Sequence, residues 1–215
     1  MSIKNDDALW NEYLYDGTDI LINNYNIKDQ QKLKEIEATI TYEKLCELND
    51  FPLDLNFDSN HLRQLHAYLF KDIYPFAGQY RKVNLQKQFG TFLSINDPNM
   101  IEIYLNNLFD SINTSLKSCN SIQEFTYILA TLYTKLIYCH PFREGNGRTI
   151  REFLREFSIK KSKEVGFDSV ELDWSLIDRD ELNKYIEVAH IFPGATGMLF
   201  MNALVPYEKS MDVKK

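Results

Sequence analysis

Twelve consecutive residues, 140–151, constrain this 215-residue chain more than any other stretch. They read His-Pro-Phe-Arg-Glu-Gly-Asn-Gly-Arg-Thr-Ile-Arg, and they join a histidine, a carboxylate, two glycines, an amide and three arginines. Apolar side chains recur at helical spacing on both sides, from Phe125 to Tyr138 before it and from Ile150 to Phe157 after it. The pattern therefore predicts a polar turn between two helices, the second of which begins near Asn146.

The composition of this turn favours a phosphate site. A helix N-terminus presents unpaired backbone N–H groups and the positive end of its dipole, so a glycine-containing turn before it suits an anion. Gly145 and Gly147 allow close approach of the backbone because they have no Cβ, and Asn146 can add a side-chain donor. Arg148 and Arg151 lie three residues apart, on one helix face, and their guanidinium groups suit phosphate oxygens.

Two further residues of the turn bring catalytic chemistry. Glu144 offers an oxygen ligand for Mg²⁺, which binds phosphates through one or two carboxylates and keeps several waters. His140 can accept a proton from an attacking hydroxyl near neutral pH. The residues alone indicate a Mg²⁺–nucleotide site with a general base.

Each of these residues also has an ordinary structural interpretation. A histidine before Pro-Phe packs or caps, Gly-Asn-Gly forms a turn, and a glutamate such as Glu144 is solvated. Arginines such as Arg148 pair with acids one turn on, here Glu152. The complete set in this order favours the nucleotide site over these separate interpretations.

The same stretch matches every fixed position of the pattern His-x-Phe-x-(Asp/Glu)-Gly-Asn-Gly-Arg-x-x-Arg, with Glu144 at the acidic position. The chain thereby resembles the Fic family of AMP transferases. The resemblance implies transfer of AMP from Mg·ATP to a Ser, Thr or Tyr hydroxyl of a target protein, with release of pyrophosphate. It implies that His140 is the base and that Glu144 binds Mg²⁺.

The resemblance also implies roles for the residues around these two. Gly145, Asn146 and Gly147 would hold the α- and β-phosphates with Arg148 beside them, Arg151 would reach the γ-phosphate, and Phe142 would anchor the loop in the core.

Two regions outside the motif take predicted roles from the same resemblance. Short alternating stretches between Val83 and Ile95 fit either a plain surface loop, which the residues alone favour, or a small hairpin. The resemblance favours the hairpin, which in Fic proteins is a flap that binds the target backbone by strand addition. Lys87 and the segment 83–93, here called the docking flap, are therefore the candidates for target docking. Asn183 or Tyr185 would lie near adenine, although a structural role for either is equally consistent with the pattern.

The predicted fold class is all-α, a Fic-type helical bundle with one small β-hairpin flap over the active site. We expect a single domain over 1–215, with a core of about 55–190, an N-terminal helical extension 1–54, and a short helix and tail in 191–215. Apolar periodicity and capping residues predict seven or eight helices. They are a short one near 20–25, then 30–49 after Asp29, one after Asp58 or Ser59, one after Asp97-Pro98, one from Ser121 into the motif, the motif helix to about 161, one from Asp178 or Asp180 to about 190, and a last one over 196–204.

Composition limits the function classes. The net charge of −7 and a pI of about 5.2 disfavour nonspecific nucleic-acid binding. The first residues lack the apolar core of a signal peptide, and no apolar run reaches the length of a membrane span. Three cysteines without metal-binding spacing suit a reducing cytoplasm, and Cys139 among apolar neighbours predicts a buried, inert thiol.

Regulation is also predicted by resemblance. Fic proteins are commonly inhibited by a helix with the pattern Ser/Thr-x-x-x-Glu-Gly/Asn, whose glutamate pairs with the second arginine of the motif. Only Thr39 to Glu43 has the first half of this pattern, and Lys44 follows instead of Gly or Asn. We therefore expect a toxin-like protein with a separate antitoxin, while a clamp by Glu43 stays as the alternative. A type II topoisomerase subunit is the target suggested by resemblance.

Two other functions remain open at this point. The fold could use another nucleotide or a phosphocholine donor, although Gly147 argues against the phosphate-transferring variant, in which that glycine is replaced. The chain could also be a catalytically silent helical interaction module.

Overall fold

The computed structural model describes residues 4–53, 55–85, 95, 97–189 and 192–207, with the backbone alone for 4–7 and 193–194. The predicted hairpin, including Lys87, lies largely outside these residues.

Helices dominate the part of the chain that the structure describes. Short 3₁₀ turns cover Pro98–Met100, Trp174–Leu176 and Pro193–Thr196. The regular elements, in chain order, are α1 (Lys4–Asn11), α2 (Gln30–Asp50), α3 (Ser59–Phe70), α4 (Ile101–Lys117), α5 (Ile122–Cys139), α6 (Asn146–Glu164), β1 (Val170–Leu172), α7 (Arg179–Ala189), α8 (Gly197–Ala203) and β2 (Leu204–Pro206). The predicted all-α class is confirmed.

Helix starts follow the capping chemistry of the sequence. The side chains of Asp29, Asp58 and Ser121 each accept a hydrogen bond from the backbone N–H three residues on, at 2.8, 2.8 and 3.2 Å. Such caps satisfy donors that have no partner inside the helix. The predicted starts of α2, α3 and α5 are therefore confirmed.

The predicted helix near 20–25 is wrong. Leu21 forms an isolated antiparallel bridge with Leu14, and Asn24 and Tyr25 lie in a turn. Gly17 adopts a left-handed φ of +67° and reverses the chain between the two arms. Turn chemistry at Asp16-Gly17 therefore outweighs the weak apolar periodicity that follows it. The helix in this part of the chain is α1.

A small antiparallel sheet joins β1 to β2, with Glu171 opposite Val205. No local pattern indicates this pairing, because the two strands lie over thirty residues apart along the chain. On its other edge β1 meets serines of α6. The backbone N–H groups of Val170 and Leu172 donate to the hydroxyls of Ser162 and Ser158 at 3.1 and 2.9 Å. Side chains of α6 therefore complete the hydrogen bonding of this edge.

The chain divides into two compact units. The first comprises Met1–Asn107 with Ile137–Ile150, and the second comprises Leu108–Leu136 with Arg151–Lys215. In the first unit α2 packs against α3. Fully or nearly fully buried side chains in this unit are Leu33, Leu48, Leu62, Leu65, Leu69, Phe70, Ile73 and Phe142.

The second unit has its own apolar centre, with β1, β2, α7 and α8 complete within it. Aromatic rings contact each other at Tyr133, Trp174 and Phe200, with centroids 5.4–5.5 Å apart. Its most buried side chains are Phe125, Leu129, Leu132, Phe153, Leu154, Phe157 and Phe200. Within the described ranges, no helix combines the length and apolar character needed to cross a bilayer.

Candidate active site

The motif loop, residues 140–145, is closed by the side chain of Asn146. The Asn146 carbonyl oxygen accepts from the Phe142 backbone N–H at 2.9 Å, and the Asn146 amide donates to the Phe142 carbonyl at 2.8 Å. Asn146 is only 3% exposed. Because this reciprocal pair uses the side chain, Asn146 fixes the loop against the start of α6, and only its second amide hydrogen is left for a phosphate.

His66 supports the same loop from α3. Its ring stacks on Phe142 with centroids 3.9 Å apart, and both residues are fully buried. The Gly78 backbone N–H donates to Nδ1 at 2.8 Å, and Nε2 lies 3.0 Å from the Glu144 carbonyl oxygen. Since a carbonyl can only accept, Nε2 carries the proton and the ring is neutral. The predicted role of Phe142 as a core anchor is confirmed.

Burial sets the ionisation of His66. Desolvation lowers the pKa of His66 to about 4, the nearby Arg148 charge lowers it further, and the hydrogen bond to Glu144 opposes the shift. Its neutral form is therefore the one that holds the loop at physiological pH, and His66 acts as a fixed two-sided hydrogen-bonding group.

Arg81 joins four backbone carbonyl groups although it is only 1% exposed. Its Nε donates to the His140 carbonyl at 2.8 Å and one Nη to the Cys139 carbonyl at 3.3 Å, at the C-terminal end of α5. The remaining donors reach the carbonyls of Val83 at 2.7 Å and Ile95 at 2.6 Å. The cation therefore satisfies the end of α5 and ties it to both ends of the segment 83–95.

His140 has an unusual backbone conformation, with φ +46°. Few residues other than glycine adopt this left-handed region, and it persists where surrounding contacts hold it. Nδ1 lies 3.3 Å from the Ile137 carbonyl oxygen, which can only accept. Nδ1 therefore carries the proton of the neutral ring, and Nε2 is the nitrogen that can act as a base.

Cys139 directly precedes this histidine and is fully buried. Burial raises the pKa of the Cys139 thiol to about 12, although the nearby Arg81 charge opposes the shift. The predicted burial of Cys139 is confirmed.

Gly145 is required at its position for two reasons. Its φ of +80° lies in the left-handed region, and an added Cβ would come within 2.4 Å of the Phe70 ring. The Gly145 backbone N–H donates to Oε1 of Glu144 at 2.9 Å. The Gly145 N–H is therefore a donor of the turn that already has an acceptor, the Glu144 carboxylate.

The Glu144 carboxylate is 43% exposed and lies 3.8 Å from the Arg148 guanidinium. An exposed carboxylate oxygen is a ligand of the type that Mg²⁺ uses together with phosphate and water. The donor chemistry at Glu144 therefore fits Mg²⁺, the metal predicted there.

Arg148, on the first turns of α6, contacts α2. One Nη donates to the Glu37 carboxylate, and the other lies 3.4 Å from the Thr41 hydroxyl. The guanidinium also lies 4.9 Å from the centre of the Phe70 ring. Glu152, the acid that spacing alone offered to Arg148, hydrogen-bonds Arg155 at 2.6 Å.

Other predicted site residues belong to the second unit. The Arg151 side chain is exposed, and its backbone carbonyl accepts from the Trp174 indole N–H at 2.9 Å. Tyr185 lines an open cavity of about 470 Å³ together with Lys184 and Val188, and Asn183 is exposed. Lys87 lies outside the described residues.

Three site-building residues were not predicted from the sequence. Arg81, His66 and Glu37 act through contacts with residues 59, 78 and 111 positions away along the chain. Local patterns cannot identify such pairings. The available signal was residue type, since an arginine or histidine within an apolar context requires partners when buried.

The chain is similar in sequence to a known protein family and to individual proteins named as adenylyltransferases. The chain matches the Fic/DOC family model over residues 56–158. It is 35% identical over 142 residues to the probable protein adenylyltransferase y4lH of Sinorhizobium fredii. This alignment covers 65% of this chain and 71% of that protein. It is 30% identical over 169 residues to the protein adenylyltransferase VbhT of Bartonella schoenbuchensis, over 78% of this chain but only 33% of VbhT.

Solved structures are similar over nearly the whole chain. The BepC protein of Bartonella tribocorum, with bound AMPPNP, has a TM-score of 0.76 at 26% identity and covers 92% of this chain and 98% of its own. The N-terminal Fic domain of a Bartonella quintana effector, with bound ADP, has a TM-score of 0.78 at 26% identity over 92% and 96% of the two chains. The predicted Fic-type helical fold is therefore confirmed.

Replacement of His66 should reduce the dependence of stability on pH. Above pH 6.5 the ring is neutral in both the folded and the unfolded chain. Below it the unfolded chain takes up a proton that the folded chain takes up only near pH 4, so stability falls across this window. The loss is about 3 kcal/mol at pH 4. His66→Gln keeps a donor and an acceptor but cannot titrate, so urea unfolding between pH 4 and 7 should show a shallower slope. An unchanged slope would contradict the assignment.

Replacement of Arg81 by lysine should destabilise the fold strongly. One ammonium group cannot reach carbonyls in several directions, so buried acceptors lose their donors at a cost of about 2–5 kcal/mol. Arg63→Lys is the matched control. Arg63 is exposed, its Nε donates to the Gly78 carbonyl, and its guanidinium lies over the Tyr80 ring. Denaturant unfolding should separate the two variants. Equal losses would show that the four carbonyls do not depend on the Arg81 guanidinium.

Proposed function

The chain belongs to the Fic/DOC family, and we propose that it transfers AMP from ATP to a hydroxyl group of a protein. Its relatives y4lH and VbhT are named as protein adenylyltransferases. The observation that carries the proposal is the placement of His140 on a loop fixed from three sides, directly before the N-terminus of α6. The base and the predicted anion-binding turn therefore share one rigid segment.

The proposed step is a substitution at the α-phosphorus of ATP. The oxygen of a Ser, Thr or Tyr hydroxyl of the target forms a bond to this phosphorus, and the bond from the phosphorus to the oxygen bridging the β-phosphate breaks. Nε2 of His140 takes the hydroxyl proton, and pyrophosphate leaves with the electron pair. The target retains AMP as a phosphoester.

The phosphate groups are assigned to the start of α6. Backbone N–H groups of Gly145, Asn146 and Gly147 and the guanidinium of Arg148 would bind the α- and β-phosphates, and Arg151 would bind the γ-phosphate. The support for this assignment is the helix N-terminus itself, with its dipole and the backbone N–H groups of its first turn. The Gly145 N–H would exchange its Glu144 acceptor for a phosphate oxygen. Positioning and charge stabilisation would then supply most of the rate enhancement.

Mg²⁺ is proposed as the cofactor, with Glu144 as its protein ligand. When bound, the metal would neutralise phosphate charge. The Glu144 carboxylate is partly exposed and keeps an oxygen in addition to the one that accepts from Gly145. The chain would therefore supply one ligand, while phosphates and water supply the others.

The adenine and target contacts are assigned to residues outside the motif. Tyr185, which lines its cavity, is the better adenine candidate because an aromatic ring can stack on a base, and Asn183 is the second candidate. Lys87 and the docking flap are retained as the target-binding segment. Arg81 supports the latter, because it donates to the carbonyl of Val83, where the flap begins, to that of Ile95, two residues after its end, and to that of His140.

The biological setting is proposed from resemblance and from two observations. Arg151 is exposed, so its guanidinium would be accessible to donate to a carboxylate of a separate antitoxin. Glu43, the alternative internal clamp, is exposed on α2. The cysteines, including buried Cys119 and Cys139, are free, which suits a reducing cytoplasm. A type II topoisomerase subunit is kept as the proposed target.

Replacement of His140 by alanine should lower AMP transfer by a factor on the order of 10²–10⁴ without preventing nucleotide binding. ATP labelled at the α-phosphate, with Mg²⁺ and bacterial lysate, should label a protein band in the presence of the wild type. Ile103→Ala, an exposed change on α4, is the control variant and should label normally.

The position of the label in ATP and the behaviour of His140→Ala distinguish AMP transfer from the alternative functions. Equal labelling with His140→Ala would contradict the assignment of the base. Label from γ-labelled ATP would indicate phosphate transfer instead. Absence of label from both nucleotides, together with no rise in melting temperature on addition of Mg·ATP, would favour the silent helical module.

A further inference from the structure

Helix α2 contributes to the motif although it precedes the residues that match the family model. The match begins at residue 56, whereas α2 ends at Asp50. Glu37 of α2 nevertheless accepts a hydrogen bond from Arg148, and Thr41, one turn on, lies 3.4 Å from the same guanidinium. An element that precedes the residues matched by the family model therefore contacts a motif arginine directly.

The Glu37 carboxylate is held at both oxygens. Oε1 accepts from Arg148, and Oε2 accepts from the Tyr74 hydroxyl. Tyr74 is 3% exposed, and burial together with the Glu37 charge raises the pKa of Tyr74 well above its usual range. The phenol therefore stays protonated and keeps donating, so the orientation of the carboxylate is fixed independently of Arg148.

Phe70 forms the other side of this arrangement. Its ring centre lies 4.9 Å from the Arg148 guanidinium, and the same ring prevents any side chain at Gly145. The Glu37 and Arg148 side chains are 13% and 23% exposed. Glu37, Thr41 and Phe70 together restrict the rotamers of a long side chain that would otherwise lose conformational entropy on binding phosphate.

The pair leaves binding capacity on Arg148. A guanidinium has several N–H donors, and Glu37 and Thr41 engage only some of them. A residue that only competed with phosphate would have to move away from the Arg148 guanidinium when phosphate binds. Glu37 is held in place by its hydrogen bond to Tyr74, so this movement would break that bond. The geometry therefore favours a holding role over a competing one.

We propose that Glu37 is a positioning residue that orients the Arg148 guanidinium for the phosphates of the nucleotide. The inference rests on the proposed function and extends the phosphate-binding machinery to α2. It makes α2 a required part of the site, with Thr41 and Tyr74 as its supporting residues.

Binding of Mg·AMPPNP, measured by calorimetry, tests this role without requiring the protein target. Glu37→Gln should weaken binding about tenfold, because a neutral amide holds the cation less firmly. Glu35→Gln is the matched control, an exposed glutamate on the same helix, and should bind like the wild type. Tyr74→Phe should weaken binding in the same direction but less, and it reports on the proposal even if Glu37→Gln fails to fold.

A double-mutant cycle distinguishes positioning from a purely structural effect. If Glu37 acts through Arg148, Glu37→Gln should have no further effect on binding once Arg148→Gln is present. Additive losses would overturn the proposal, and so would equal or tighter binding by Glu37→Gln, the latter because it would make Glu37 a competitor. Failure of the wild type to bind Mg·AMPPNP would instead refute the proposed function itself.

Discussion

Buried main-chain groups around the motif loop need partners, and the site depends on how the fold supplies them. A chain that leaves one helix and turns into another exposes unpaired carbonyl and N–H groups. Here that turn lies among fully buried rings, where an unpaired group is costly. Asn146, His66 and Arg81 supply the missing partners, each from a different part of the first unit. Loop geometry is thus the consequence of hydrogen-bond satisfaction.

This arrangement explains how a strained residue can be kept ready for reaction. His140 adopts a left-handed backbone, and Arg81 fixes its carbonyl from one side while its Nδ1 faces Ile137 from the other. The contact with Ile137 therefore favours the tautomer with the proton on Nδ1 before any substrate binds. Arg148 follows the same principle, since α2 and Phe70 hold its guanidinium in advance. A site organised in this way loses little entropy when it binds its ligands.

Sequence patterns were informative where chemistry is local. Capping residues such as Asp29, Asp58 and Ser121 identified helix starts, and the motif identified the family from contiguous residues. Patterns failed where a distant segment decides the outcome. The partner of β1 lies over thirty residues later, at Val205, and the acid beside Arg148 is Glu37 and not its helical neighbour Glu152. The helix predicted near 20–25 failed for a local reason, because the turn at Gly17 is a stronger determinant than a short run of apolar residues.

The motif loop is fixed in the free protein, and amide hydrogen exchange measures this directly. The Phe142 and Gly78 N–H groups donate to buried side chains, whereas the Thr18 N–H donates to a backbone carbonyl in a surface turn. Without nucleotide, Phe142 and Gly78 should exchange as slowly as Leu69 in the buried centre of α3, through global unfolding. Exchange of the Phe142 amide as fast as that of Thr18 would contradict the account, because the loop would then open locally.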